Sequence, residues 1–316
     1  MIMRSRFLFF CFALCSLVLL STGCNSTSSK ALTSVVYDSI SADPAILAPP
    51  SLLMDKLDSL KKGLLYFPPV DSINKIEPKV ARAMLKDSIY RELKKKPKHI
   101  YLTFDDGPLL GSLAIDSIVT AKGVKSSVFL IGKHAKMSKM LSRSLQKYLE
   151  NPLVEAYNHS YTHANHRYQT FYSDPTAAYT DFVRAQEELG LKHKVARLPG
   201  RNIWMFGDVK RLDGRNGGTT AEMLHEDGFQ VFGWDVEWRI NGRTGESEQS
   251  VDMTYKAMKS YLDKNISLYP NNVVLLMHDD MFQLPKAQHK LAALIDSLKQ
   301  HPDYSFEFMT DYPKKY

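Results

Sequence analysis

The chain has 316 residues, of which 44% are hydrophobic and 24% charged, so it can bury a large core and is not an intrinsically disordered protein. Its formal net charge of +7 is diffuse and accompanies no nucleic-acid-binding motif, so we expect no nucleic-acid partner. The three cysteines, Cys11, Cys15 and Cys24, all lie near the N-terminus. This placement excludes an intrachain disulfide, a thiol nucleophile and a thiolate zinc ligand in the body of the protein.

The first predicted element is a signal peptide. Arg4 and Arg6 precede an apolar run over residues 7–20, which is shorter than the roughly 20 residues that a membrane-spanning helix needs. The small residues of "STGC" then lead to Cys24 and resemble a bacterial lipobox, although the preceding Leu comes one place too early. We therefore predict a signal peptide over residues 1–23 and lipidation of Cys24, which would give a membrane-anchored, extracytoplasmic lipoprotein of a bacterial envelope. A plain secretory signal and an uncleaved anchor are the alternatives.

Two segments separate this N-terminus from the main domain. Residues 24–51 begin with the lipidated Cys24 and continue as a stretch rich in Ser, Thr, Ala and Pro, which is typical of a tether. Residues 52–97 contain two runs with apolar residues at helical spacing, each rich in Lys at its end. This pattern predicts a helical N-terminal extension.

Short apolar strands alternate with amphipathic helices over residues 98–312. This alternation predicts an α/β fold with a parallel sheet or barrel, in which functional residues follow the C-terminal ends of the strands. Residues 201–218 interrupt the alternation and are predicted to form a loop. The seven predicted strands are HIYLTF, SSVFLIG, LVEAYNH, KVARLP, FQVFGW, NNVVLLMH and FEFMT.

Titratable side chains follow five of the seven predicted strands and should therefore surround one mouth. Two aspartates side by side at the end of a buried strand are costly to desolvate, so we expect them to bind or react with something. The side chains at the five positions are Asp105 with Asp106, His159 with His163, Arg197, Asp235 with Glu237, and His278 with Asp279.

His159 and His163 predict a metal site. Their i, i+4 spacing places two imidazoles on one side of a helical turn or a tight loop. One aspartate would complete a set of three ligands and leave an open position for water. Zn²⁺ or another divalent transition metal suits these nitrogen and oxygen donors. His166 is the competing ligand.

The remaining groups suit a hydrolytic reaction. The aspartate that does not bind the metal can take a proton from a water activated by the ion, and Arg197 can keep this carboxylate ionised. His278 can donate a proton to the leaving group. Either Asp235 or Glu237 can support the protonated form of His278, and the sequence does not choose between them.

The motifs "TFDDGP", "HSYTH", "RLP", "WDVEW" and "LMH", in this order, resemble those of the polysaccharide deacetylases of carbohydrate esterase family 4, the NodB homology domain. The resemblance covers residues 98–312. Its first two motifs together are highly specific, and its third and fourth are weak by themselves. It implies a distorted (β/α) barrel with fewer than eight strands, which agrees with a count of about seven parallel strands.

The resemblance also implies roles for individual residues. It makes Asp105 the general base, Asp106 a metal ligand and His278 the general acid. By the same resemblance His159 and His163 are metal ligands, Arg197 orients the base, Asp235 or Glu237 supports the acid, Gly200 offers a backbone N–H to the oxyanion, and Leu276 and Trp238 line the slot for the acetyl methyl group.

Substrate choice is where the chain departs from the family. The family usually has an aromatic residue and then Gly after the Pro of the third motif, whereas this chain has Gly200 and Arg201. The expected reaction is removal of N-acetyl groups from an N-acetylglucosamine-type envelope polysaccharide such as peptidoglycan. An O-acetyl polysaccharide esterase and a catalytically silent glycan-binding lipoprotein are the alternatives. The presence of base, ligands and acid argues against the silent alternative.

Overall fold

The computed structural model describes residues 78–314, with side chains from residue 83 onward. The predicted signal peptide, the predicted lipidation site Cys24, the predicted tether and the first predicted N-terminal helix lie outside the described residues. The second predicted N-terminal helix is present as α1, Pro78–Lys94. Internal contacts separate Met1–Arg82 from Ala83–Tyr316, and every element after α1 belongs to the second unit.

The second unit is built on one curled sheet of ten strands. Hydrogen bonding orders nine of them β6-β5-β7-β4-β3-β2-β1-β9-β8, and β10 pairs with β1. The strands are β1 Lys98–Gly107, β2 Ser126–Leu130, β3 Val154–Asn158, β4 Val195–Ala196, β5 Trp204–Phe206, β6 Val209–Arg211, β7 Gln230–Val231, β8 Val236–Glu237, β9 Asn272–His278 and β10 Tyr304–Phe306.

Helices connect the parallel strands. They are α2 Ser112–Lys122, α3 Lys139–Glu150, α4 Tyr168–Phe171, α5 Pro175–Glu188, α6 Gly218–Glu226, α7 Val251–Lys264 and α8 Pro285–Lys299. Short 3-10 turns cover His134–Lys136, His163–His166, Asp279–Phe282 and Met309–Asp311. Within the described part of the chain, every helix is too short or too polar to cross a membrane.

β1 is the central strand because its sequence allows burial on both faces. Residues 100–105 are all buried, as expected for a strand of a parallel sheet that is covered on both sides. Its neighbours are β2 and β9, and the hydroxyl of Thr103 donates to the carbonyl of Leu275 across the β1–β9 pair at 2.7 Å. The register sets Asp105 opposite His278. The sheet therefore brings the first and the last predicted catalytic motifs together.

The predicted α/β fold is confirmed, and the sheet is a half-barrel. Its hydrogen-bonded path runs from β6 at one edge to β8 at the other. The path β7-β4-β3-β2-β1-β9-β8 contains seven parallel strands, and β10, which pairs in parallel with β1, is an eighth, one more than the seven predicted. Two of these eight strands differ from the prediction. β8 lies within "WDVEW", and the last predicted strand, FEFMT, is replaced by the slightly earlier β10, which joins β1 in parallel.

The prediction of a loop over residues 201–218 was wrong, because this segment contains the antiparallel hairpin of β5 and β6. Phe206 pairs with Val209, so the turn has only two residues, Gly207 and Asp208. Gly207 has a φ of 52°, a left-handed conformation that such tight turns require. A Gly-Asp pair between apolar runs is a known signal for a hairpin. That signal was present in the sequence and was overlooked.

Candidate active site

The two consecutive aspartates at the end of β1 both face the histidines of the second motif. Successive side chains of a regular strand point to opposite faces. Here Asp106 has a φ of 73°, and the pairing of β1 with β2 shifts register between Phe104 and Gly107. This irregularity breaks the alternation. The Nε2 of His159 lies 3.6 Å from Oδ2 of Asp105 and 3.5 Å from Oδ1 of Asp106.

Arg197, from the end of β4, holds Asp105 in place. Its guanidinium is fully buried, and Nη1 donates to Oδ1 of Asp105 and to the hydroxyl of Thr103, both at 2.8 Å. Nη2 donates to the carbonyl of Gly233 at 2.8 Å and Nε to that of Phe232 at 3.2 Å. Burial lowers the pKa of Arg197, although the neighbouring Asp105 opposes this effect. An arginine remains charged in proteins, so Asp105 sits beside a fixed positive charge.

Asp106, His159 and His163 bring their donor atoms together, all within 4.8 Å of one another. The Nδ1 of His159 lies 2.8 Å from the carbonyl oxygen of Arg197, which can only accept, so this nitrogen carries the hydrogen and Nε2 is left with a free lone pair. Oδ1 of Asp106 lies 3.0 Å from Nε2 of His163 and has no hydrogen bond of acceptable geometry among the described residues.

These donor atoms fit a divalent metal ion. Neighbouring ligand atoms of a tetrahedral Zn²⁺ with bonds of about 2.0–2.1 Å stand roughly 3.3–3.4 Å apart. The separations of 3.0 and 3.5 Å between Asp106 and the two imidazoles bracket that value. Burial would raise the pKa of Asp106, but His159 and His163 hold it well below its usual range. Asp106 is therefore an ionised donor, as a metal ligand must be.

The turn that carries His163 has a strained backbone. The φ values of His163, Ala164, Asn165 and His166 are 53°, 53°, 45° and 59°, so four consecutive non-glycine residues are left-handed. Each such residue costs roughly 1–2 kcal/mol. Strain of this kind persists where surrounding contacts impose it and is concentrated at functional sites. The backbone N–H of His163 donates to the hydroxyl of Ser160 at 3.0 Å, which is one of those contacts.

His166, the competing ligand, lies outside the donor cluster. Its side chain is exposed, and its ring stands edge-on to the ring of His163 at 5.1 Å between centroids. Among the described residues, the cluster of donor atoms that could hold a metal ion consists of Asp106, His159 and His163 and does not include His166.

His278 ends β9 on the other side of Asp105. It is half-buried, and its Nδ1 is buried without a hydrogen-bond partner in the described part of the chain. Its backbone N–H donates to the sulfur of Met281 at 3.4 Å. The imidazole therefore lies at the end of β9, and its Nδ1 forms no hydrogen bond with the described residues.

The two candidate supports for His278 differ in position. Oδ2 of Asp235 accepts from the backbone N–H of Val274 at 2.9 Å, and burial raises the pKa of Asp235 to about 6. Val274 precedes His278 by four residues of β9, which is about 13 Å along the strand. Glu237 pairs in register with Leu276, two residues before His278. Glu237 is thus the nearer of the two, and its support of the acid remains a prediction.

Asp280 is a further carboxyl group close to the predicted acid, and it is not among the predicted site residues. Burial raises its pKa, the negative charge of Asp106 raises it further, and His278 opposes this shift, so Asp280 is within electrostatic reach of both groups. One of its carboxylate oxygens is buried without a hydrogen-bond partner among the described residues. The signal was the second Asp of "HDD". Its neighbour Asp279 is fully buried and accepts hydrogen bonds from the hydroxyls of Ser112 and Tyr148 instead.

The predicted slot residues lie in different environments. Gly200 is exposed at the end of the β4 segment with a φ of 65°, and Leu276 is buried in β9. Trp238 is fully buried in the main core, where its Nε1 donates to the carbonyl of Gln249 at 2.9 Å. Trp234 is half-buried, and its ring lies 5.9 Å from the guanidinium carbon of Arg197. Trp234 thus lies beside the arginine that holds the base, and it is not among the predicted slot residues.

Comparisons with known proteins indicate the class of domain. Residues 92–201 match the family model described as polysaccharide deacetylase. A polysaccharide deacetylase domain is thereby supported. The Bacillus subtilis (strain 168) protein YheN, provisionally named a polysaccharide deacetylase, is 26% identical over 221 residues, which are 68% of each chain.

Solved structures share the fold. A CE4 esterase of Streptococcus mutans matches with a TM-score of 0.51 and 19% identity, over 69% of this chain and 90% of that chain. A mutant of a CE4 family pseudoenzyme from Bacillus anthracis, with restored enzymatic activity, matches with a TM-score of 0.50 and 18% identity, over 69% of each chain. At these identities the likeness concerns the fold, so catalysis has to be argued from the residues themselves.

Proposed function

We propose that the protein is a metal-dependent hydrolase that removes N-acetyl groups from an N-acetylglucosamine-type polysaccharide of the bacterial envelope. The observation that carries the proposal is the convergence of a three-donor cluster with the buried Asp105–Arg197 pair at adjacent strand ends. The match to the polysaccharide deacetylase family model supports the reaction class. The assembled residues argue against a silent relative, because base, ligands and acid are all present.

Asp106, His159 and His163 would hold the ion, which is Zn²⁺ or another divalent transition metal. Such an ion supplies a Lewis acid that polarises the acetyl carbonyl and lowers the pKa of water from about 15.7 towards roughly 7. The Nδ1–H of His159 donates a hydrogen bond to the carbonyl oxygen of Arg197. This bond fixes the orientation of the imidazole, so the ligand is already positioned without the ion.

Asp105 acts as the base. Arg197 occupies its Oδ1, and its Oδ2 faces the donor cluster at 3.6 Å from His159, so only Oδ2 is presented to a water in the mouth. His278 donates the proton to the leaving amine nitrogen from the opposite side of β1. Gly200 offers its backbone N–H near the developing oxyanion, and Leu276 with a tryptophan lines the methyl slot.

The substrate proposal follows from location. A signal ending at Cys24 and a tether to residue 51 would place the domain on the outside of the membrane, where the abundant N-acetylated polymer is peptidoglycan. A Cys24→Ser variant should leave the membrane fraction for the soluble fraction. Retention in membranes after the substitution would favour an uncleaved anchor.

The decisive experiment measures acetate released by the full-length, metal-loaded protein in detergent from peptidoglycan, from an N-acetylglucosamine polymer and from O-acetylated xylan. We expect release from an N-acetylated polymer, loss after chelation and recovery when Zn²⁺ is restored. Release from xylan alone would favour the esterase alternative. Glycan binding without any acetate release would favour the silent alternative.

A further inference from the structure

Tyr168, the first residue of α4, lies over Gly200 at the mouth of the site. A Cβ atom built on Gly200 would stand 3.2–3.3 Å from three ring atoms of Tyr168. Such distances are tighter than ordinary van der Waals contacts. The ring therefore occupies the space that a side chain at position 200 would take, and the left-handed φ of 65° at Gly200 further disfavours such a side chain.

The same ring reaches the metal-ligand cluster. It stands edge-on to the imidazole of His163, with 5.6 Å between centroids and an interplanar angle of 89°. Tyr168 is half-buried, so part of the ring remains open to solvent at the mouth. Its hydroxyl has no hydrogen-bond partner in the described part of the chain. A buried or interfacial tyrosine usually finds such a partner.

The segment of residues 201–218 holds this tyrosine in position. Arg201 is buried, and its guanidinium carbon lies 5.9 Å from the ring centroid of Tyr168. Its Nη2 donates to Oδ1 of Asn216 at 2.6 Å and its Nη1 to the carbonyl of Gly200 at 2.9 Å. Asn216 in turn donates to the carbonyl of Gln169, next to Tyr168, at 2.9 Å. One charged side chain thus ties the hairpin segment, Gly200 and α4 together.

We propose that Tyr168 is a specificity-determining residue of this mouth, which binds the sugar unit bearing the acetyl group through its ring face and its unpartnered hydroxyl. An amphipathic ring with a polar tip suits a pyranose, which presents C–H groups on its faces and hydroxyls at its rim. Gly200 has no side chain to compete with the ring for this space. The inference rests on the proposed function for its substrate class, an N-acetylated glycan.

The test compares full-length Tyr168→Ala, Tyr168→Phe and Phe171→Ala proteins, each loaded with Zn²⁺. Phe171 is the matched control, because its half-buried ring lies on the same helix and contacts Tyr172 at 5.0 Å. We expect Tyr168→Ala to raise the KM for an N-acetylglucosamine pentamer by about 3–10-fold, the size of one aromatic contact, with kcat and bound zinc unchanged. Tyr168→Phe should show a smaller rise, and Phe171→Ala none.

A second measurement separates failure of the inference from failure of the proposed function. Binding of the same pentamer is followed by calorimetry in an Asp105→Asn background, with and without Tyr168→Ala. Weaker binding in the Tyr168→Ala protein supports the inference even where the parent protein releases no acetate. Equal binding, an unchanged KM, or a loss of zinc equal to the loss of activity overturns it, because the tyrosine would then have a structural role only.

Discussion

Two aspartates are buried, Asp105 on one side of the mouth and Asp279 on the other. The protein compensates the burial of the two carboxyl groups in different ways. Asp105 is paired with the buried guanidinium of Arg197 at 2.8 Å. Asp279 is fully buried and accepts hydrogen bonds from the hydroxyls of Ser112 at 2.9 Å and Tyr148 at 2.8 Å, and burial raises its pKa to about 7. A compensating cation is thus found where an ionised base is needed, and not where the carboxyl group only joins structural elements.

The base side and the acid side of the mouth also differ in how far the protein itself hydrogen-bonds their polar groups. On the base side, each nitrogen of the Arg197 guanidinium and the Nδ1 of His159 is hydrogen-bonded to the protein. On the acid side, Nδ1 of His278 and one oxygen of Asp280 are buried without partners among the described residues. A fixed base side favours rapid reaction because its groups need no reorganisation. The acid side lacks such fixed contacts among the described residues.

The largest effect is expected from His163→Ala. This variant removes one of three donors from a cluster with no replacement inside it, so we expect complete loss of bound metal and of acetate release. The matched control is His166→Ala, which removes an exposed imidazole from the same turn. Elemental analysis of both proteins checks the assignment. Normal zinc in His163→Ala with depleted zinc in His166→Ala would reverse the roles of the two histidines.

Asp105→Asn should separate base from ligand. The variant keeps a side chain that accepts from Arg197 but cannot take a proton, so kcat should fall by about 10²–10⁴-fold while zinc content stays normal. Single-turnover rates and elemental analysis on one preparation provide the measurement. A kcat close to that of the parent protein would contradict the division of labour between the two aspartates.

His278→Gln tests the acid side. An amide of similar size cannot supply a proton, so kcat should fall by up to about 10²–10⁴-fold, with the larger losses on substrates whose leaving group is the poorer one. Metal content should not change, since His278 is outside the donor cluster. The control is His289→Gln, which alters an exposed histidine of α8. Equal activity of the two variants would remove His278 from the mechanism.

The fold and the metal cluster could be predicted from the sequence because both depend on local patterns. Alternating apolar strands and helices give a parallel sheet, and residues at its strand ends must meet, as Asp106, His159 and His163 do. The site of Tyr168 could not be predicted in this way. It depends on the left-handed turn of residues 163–166 and on Arg201, whose partner Asn216 lies 15 residues away, beyond a hairpin that the sequence analysis predicted to be a loop.

The support of His278 could not be predicted for a related reason. Asp235 and Glu237 are two residues apart and share a face of a short strand, so sequence alone ranks them equally. Only the register of β8 with β9 shows that Asp235 lies opposite Val274 and Glu237 opposite Leu276. Strand register is set by long-range pairing. The sequence of a two-residue strand contains almost no signal that predicts this pairing.

The smallest effect is expected from Asp279→Asn, which should alter stability and leave the metal site intact. Because burial places the pKa of Asp279 at about 7 in the folded protein, against about 3.9 in an unfolded chain, the folded state binds the proton more tightly. Stability of the parent protein should therefore fall as pH rises from about 4 to 7, whereas an uncharged Asn cannot lose a proton and should not show this decline.

The difference in unfolding free energy between the parent protein and Asp279→Asn should consequently move in favour of the variant by on the order of 2–4 kcal/mol between pH 4 and pH 8. Urea unfolding at several pH values measures it. The control is Asp296→Asn, since Asp296 is an exposed partner of Lys122 and such surface pairs contribute little. A difference that stays constant with pH would mean that Asp279 is ionised at no cost, and the contrast with Asp105 would then have to come from something other than the missing cation.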